Sequence, residues 1–149
     1  MQSDDAISML MTMASMQEEH NAQVHPQWKE QGYEYYRAIW VECAEMLDHF
    51  GWKWWKNQEP DIDQVKLELV DIWHFALSEL IRSKQLHEGL GAELANVEPI
   101  DSTPEIFREA IESLAISSLQ SRSFKMSDFT YAMRTLPMDL KELFALYVG

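Results

Sequence analysis

The chain has 149 residues, a length that suits one domain around one core. Its 46% hydrophobic content excludes a disordered chain, and a formal net charge of −13, from 25 acidic against 12 basic side chains, excludes a nucleic-acid polymer as the natural partner. The single cysteine, Cys43, cannot form an internal disulfide and is expected to be a small packed residue in a reducing compartment. No basic stretch followed by an apolar one opens the sequence, and no apolar run approaches ~18 residues. A soluble, cytoplasmic protein is therefore expected.

Five glycines and five prolines punctuate the chain, and its apolar periodicity is mostly helical. Asp4 and Asp5 suit a helix N-terminus, followed by a greasy body of Ile7, Leu10, Met11, Met13, Ala14 and Met16 that should fade near Glu18–Asn21. The methionine stripe reads as core filler. Val24 to Gly32 reads as a connector anchored by Trp28. A second helix is predicted from Glu34 to Phe50, stopped by Gly51. An aromatic, basic turn follows, Trp52-Lys53-Trp54-Trp55-Lys56-Asn57. Pro60, Asp61 and Asp63 then open a third helix, read as the longest and greasiest, to about Ser83. His87 to Asp101 reads as an acidic loop. Ser102-Thr103-Pro104-Glu105 reads as a helix start with Ser102 as hydroxyl cap and Glu105 at capping-box distance. That helix covers roughly Pro104–Gln120. Shorter ones are predicted from Ser127 to Arg134 and from Pro137 to the end. The expectation is an all-α bundle of five or six helices forming a single domain over residues 1–149.

Two acidic pairs stand on the second and third helices: Glu42 with Glu45, and Glu68 with Asp71. At i,i+3 spacing both carboxylates of a pair leave one helix face, ~5–6 Å apart at Cβ. Helices joined by so short a connector pack antiparallel, so the pairs should face each other across one groove. Carboxylates flanked by Val41, Met46, Leu47, Leu69, Val70 and Ile72 are expected to face an interior, where unpaired charge is costly. A cation should sit among them, and four oxygen donors without a cysteine pair point to Mg²⁺ or Mn²⁺. Such ions clamp phosphate oxygens, and a carboxylate not fully engaged can take a proton from water. His74, three residues after Asp71, can touch substrate, act as a ligand, or be a satisfied core histidine. Phe75 reads as packing. Lys53 and Lys56 suit phosphate contact or plain exposure. Gln17 and Asn21 share one helix face at i,i+4 and carry amides able to read a base edge, although helix ends are often polar.

The runs E-C-A-E-M-L-D-H-F-G-W-K-W-W-K-N and E-L-V-D-I-W-H-F-A-L-S resemble the dimeric dUTPases, within the all-α NTP pyrophosphatase superfamily, whose signature is E-x-x-E, a spacer, then E-x-x-D. The similarity is dense from Tyr36 to Leu80, weaker upstream through Gln17, Asn21, Trp28 and Gly32, and faint from about residue 85 onward. It implies hydrolysis of dUTP, and of dUDP, to dUMP by a homodimer or higher homo-oligomer in which the second subunit helps close each site. By the same resemblance Glu42, Glu45, Glu68 and Asp71 would hold Mg²⁺, with Glu42 or Glu45 orienting or deprotonating the water. Gln17 and Asn21 would recognise uracil, and His74 with Phe75 would line the nucleoside pocket. Lys53, Trp54, Lys56 and Asn57 would lie near sugar and phosphates. Two features depart from the pattern. His49 stands where the family usually has serine in D-S-F. A segment like K-N-x-L-N-x-x-R-Q-x-x-G-Y, which supplies basic phosphate contacts, would follow Tyr147-Val148-Gly149, so either a minimal or incomplete version of the family is expected or those contacts come from elsewhere.

Three other functions compete. A nucleotide pyrophosphatase of the same superfamily with another base preference would share scaffold and metals. A di-iron carboxylate bundle needs two E-x-x-H motifs, and only Asp71-x-x-His74 approaches one. A non-catalytic helical dimer could keep the metal site without turnover.

Overall fold

A computed structural model describes residues 1–149. It contains seven α-helices and no strand: α1 Ser3–Val24, α2 Tyr35–Phe50, α3 Ile62–Arg82, α4 Glu88–Ala95, α5 Pro104–Ser121, α6 Met126–Thr135 and α7 Leu140–Val148. The all-α expectation holds, and the count exceeds the expected five or six by one. Helix α3 runs through the middle, with Leu69, Ile72, Trp73, Ala76 and Leu77 fully buried. Trp73 stacks on Phe129 of α6 at 5.1 Å between ring centres and donates its indole N–H to the Met13 sulfur of α1 at 3.3 Å. One contiguous cluster of 32 buried residues joins these elements. At 21 residues α3 is one shorter than α1, at 22, so it is not the longest helix.

The extra helix is α4, which overturns the loop reading over Glu88–Ala95, whereas residues 96–101 are non-helical as expected. Leu90 and Leu94, at i,i+4, bury one face, and Gly91 is a buried contact residue between them. A Cβ on Gly91 would stand 2.8 Å from the Ile7 Cα, so the missing side chain lets α4 lie directly on α1. Helix α1 continues past its expected end to Val24. Its last turns are tied sideways, since Asn21 donates its amide N–H to Ser78 Oγ of α3 at 2.9 Å.

Capping residues set the starts of α3, α5 and α7. Asp61 accepts from the Gln64 N–H at 3.3 Å, and Asp139 from the Glu142 N–H at 2.9 Å, so α7 begins at Leu140 and not at Pro137. For α5 the cap is Thr103, which accepts from the Ile106 N–H at 3.2 Å. Ser102 is one residue too early, and Glu105 pairs with Arg108 instead of closing a capping box. Gly51 ends α2 at φ +101°, a left-handed backbone that other residues rarely adopt. Trp28 and Cys43 are buried as expected, and burial pushes the Cys43 thiol up to about 12. Met13 fills the core, but Met16 is 40% exposed and lies outside it. No helix is long and apolar enough to cross a membrane.

Candidate active site

Helices α2 and α3 lie side by side and run in opposite directions. Glu42 feels the charge of Asp71, His49 Nδ1 lies 2.6 Å from Glu68 Oε1, and the His49 carbonyl accepts the Asp61 N–H at 3.0 Å. Partner numbers rise on α3 as they fall on α2. Glu42 also feels the charges of Glu45 and Glu68, so all four acids lie together along one groove between α2 and α3. Their burial differs from the expectation. Glu68 is buried, Glu42 is half-buried, and Glu45 and Asp71 are exposed along the rim.

The groove concentrates unrelieved negative charge. Burial, then Glu45, Asp71 and Glu68 push the Glu42 carboxyl up to about 7. Burial also raises Glu68, against the opposing pull of His49, and burial with Glu45 raises Asp71. Glu42 Oε2 and Glu68 Oε2 are buried with no hydrogen-bond partner. The buried Glu79 on the same helix provides a contrast. Arg82 grips both of its oxygens, at 2.9 and 2.7 Å, and Ser123 donates to one at 3.2 Å. The fold thus pairs a buried acid where the acid serves the scaffold, and leaves oxygens free where α2 faces α3.

Those oxygens fit a hard divalent cation in donor type and charge. No three His, Cys, Asp or Glu side chains converge around one point closely enough to hold an ion as they stand. Repulsion among four carboxylates opposes such convergence, and a cation between them would remove it.

A cavity of about 400 Å³ adjoins the groove. Glu42 and Asp71 form part of its wall, with Gln17, Asn21, His74, Phe75 and Ser78. The polar groups form a directed chain. Gln17 Nε2 donates to Asn21 Oδ1 at 2.8 Å, Asn21 Nδ2 donates to Ser78 Oγ at 2.9 Å, and Ser78 donates to the His74 carbonyl at 2.9 Å. Gln17 Oε1 faces His74 Nδ1 at 2.6 Å and the Tyr147 hydroxyl at 2.8 Å. Burial, helped by His20, lowers the His74 pKa and keeps the ring neutral, with Nδ1–H as donor to the glutamine.

A family model described as dUTPase matches residues 9–149. The chain belongs to the dUTPase family. No curated protein matches it. The match extends over the C-terminal half, where the motif-level similarity is faint. As a dUTPase, the chain has dUTP hydrolysis as its general chemistry and a deoxyuridine nucleotide as its substrate class.

The remaining dUTPase candidates lie elsewhere. Lys53, Trp54, Lys56 and Asn57 line a second cavity of about 450 Å³ with Gly51 and Arg108. Its wall starts at Phe50, the last residue of α2, and includes none of the four acids, and the two cavities share no wall residue. Trp54 is 86% exposed and packs edge-on against Trp55 at 4.6 Å. Sequence reasoning missed four neighbours of the candidate set. Ser78 lies four residues after His74 on one face of α3, a spacing that could have exposed it. Tyr35, Tyr147 and Arg108 lie on other elements and carry no local signal. The Arg108 guanidinium donates to the Gly51 carbonyl at 3.0 Å, which adds a third cation beside the two lysines.

Proposed function

We propose that this dUTPase hydrolyses dUTP, and dUDP, to dUMP in a Mg²⁺-dependent reaction that Mn²⁺ also supports. The observation that carries the reading is the pair of buried, unpartnered oxygens on Glu42 and Glu68 beside a cavity lined by a directed amide chain. Glu42, Glu45, Glu68 and Asp71 would hold the cations. Bound Mg²⁺ supplies positive charge against the phosphate oxygens and makes nearby water more acidic. Glu42 or Glu45 orients the attacking water and accepts its proton. The water oxygen bonds to phosphorus as the α–β linkage breaks, which releases pyrophosphate from dUTP or phosphate from dUDP.

The amide chain supports the base assignment. With its bonds made, Gln17 Nε2 keeps one N–H, Asn21 Oδ1 keeps one lone pair, and Asn21 Nδ2 keeps one N–H. Donor, acceptor, donor is the complement of the O4, N3–H and O2 edge of uracil. Cytosine carries an amino group and no N3–H, so two of the three contacts would fail. His74 and Phe75 line the nucleoside, and Lys53, Trp54, Lys56 and Asn57 reach sugar and phosphates. The active form is a homodimer or higher homo-oligomer. Indole surface exposed on Trp54 and Trp55 supports association.

Product release from dUTP, dUDP, dTTP, dCTP and UTP, measured with Mg²⁺ and with EDTA, tests the reading. Turnover selective for dUTP and dUDP is expected. Preference for another base would leave scaffold and metals and move the substrate, and no turnover of any would favour a non-catalytic dimer.

A further inference from the structure

Glu68 is the most buried of the four acids, with a side chain only 3% exposed, and its two oxygens have different surroundings. Oε1 lies 2.6 Å from His49 Nδ1, whereas Oε2 is buried with no hydrogen-bond partner. His49 is itself held. Its Nδ1 lies 3.1 Å from the Glu45 carbonyl one turn back, and its own carbonyl accepts the Asp61 N–H at 3.0 Å, which ties the end of α2 to the cap of α3. The ring therefore touches both the α2 backbone and one oxygen of Glu68.

We propose that His49 is a positioning residue for the cation site: it takes one oxygen of Glu68 and leaves the other, buried and unpartnered, as the oxygen that binds the metal. This rests on the cation reading above. A neutral imidazole with its proton on Nδ1 is enough, so no charge on His49 is required. Ligating carboxylates are held by hydrogen bonds from outside the metal shell, and loss of such a partner typically weakens metal binding ~10–100-fold.

The test is direct binding of Mn²⁺, followed by electron paramagnetic resonance without nucleotide, at one fixed pH. Wild type is compared with His49→Ala, His49→Asn and Glu68→Gln. Asparagine keeps an N–H donor near the place of Nδ1. The Mn²⁺ dissociation constant should rise roughly 10–100-fold in the alanine variant. It should stay near wild type in the asparagine variant, and Glu68→Gln should weaken binding at least as much as alanine. His49 is half-exposed, so the variants should keep the wild-type circular dichroism. Unchanged or tighter Mn²⁺ binding in the alanine variant would overturn the proposal and make His49 a bystander or a competitor for Glu68, with the cation reading intact. Absence of Mn²⁺ binding in wild type would overturn both.

Discussion

At Glu42, burial and three neighbouring carboxylates act in the same direction, and the carboxyl is raised from 4.5 to about 7. A carboxyl with a raised folded pKa binds more protons in the native than in the unfolded chain between those values. Its contribution is full below about pH 4.5 and is lost as pH rises through about 7. Glu68 and Asp71 shift in the same sense. His49 is also raised: desolvation pulls it down, but the charge and hydrogen bond of Glu68 outweigh that. It too loses stabilising effect as pH rises. The metal-free protein should therefore melt at lower temperature at pH 8 than at pH 5.5, and Mg²⁺ should reverse much of the loss. Glu42→Gln should raise the metal-free Tm at pH 8 by about 2–4 °C, the shift that ~1 kcal/mol gives a domain of this size. Thermal scans check both, and a variant less stable than wild type at pH 8 would contradict the repulsion. The acid identities were legible in the sequence because i,i+3 spacing fixes a helix face. Their unequal burial was not, because it depends on where α2 ends and how α3 tilts past it.

Helix α7 reaches the candidate site only through tertiary contact. Lys66 of α3 pairs with Glu142 at 2.6 Å, and the Tyr147 hydroxyl lies 2.8 Å from Gln17 Oε1 and 3.1 Å from the Met13 carbonyl. Tyr147→Phe should leave the fold intact and raise the dUTP KM roughly 2–10-fold, the range of one hydrogen bond of about 0.5–1.5 kcal/mol. The change in kcat should be smaller and discrimination against dCTP should fall. Unchanged KM and discrimination would separate Tyr147 from the proposed base-reading role of Gln17 and Asn21. Nothing near Tyr147 in the sequence marks this role, because its hydrogen-bond partners lie 130 or more positions away. Helix α4 was missed for the opposite reason. The stretch with Gly89 and Gly91 read as loop, whereas Gly91 is small because Ile7 occupies the space a side chain would need. Gly91→Val should force α1 and α4 apart at a cost of about 1–3 kcal/mol, read by denaturant unfolding. A neutral effect would mean that the two helices have room to spare. The α2 and α3 boundaries were legible because an ending glycine and a capping aspartate mark them chemically.

A molecule with a formal charge of −13 has to bind a polyanionic substrate, and the fold separates the groups that could do so. Free carboxylate oxygens line the α2–α3 groove, while Lys53, Lys56 and Arg108 gather in the neighbouring cavity. With the acids unneutralised, phosphate would be repelled from the groove. Divalent cations would reverse the local field and bring the two regions into use together. The most direct measurement is dUTP hydrolysis by EDTA-stripped protein as Mg²⁺ is added back, beside Glu45→Gln. The account predicts no turnover without the metal and saturable recovery with it. It also predicts release of dUMP and pyrophosphate, and a loss of at least about 10²-fold in the variant. Turnover that persists in EDTA, or a fully active Glu45→Gln, would contradict it.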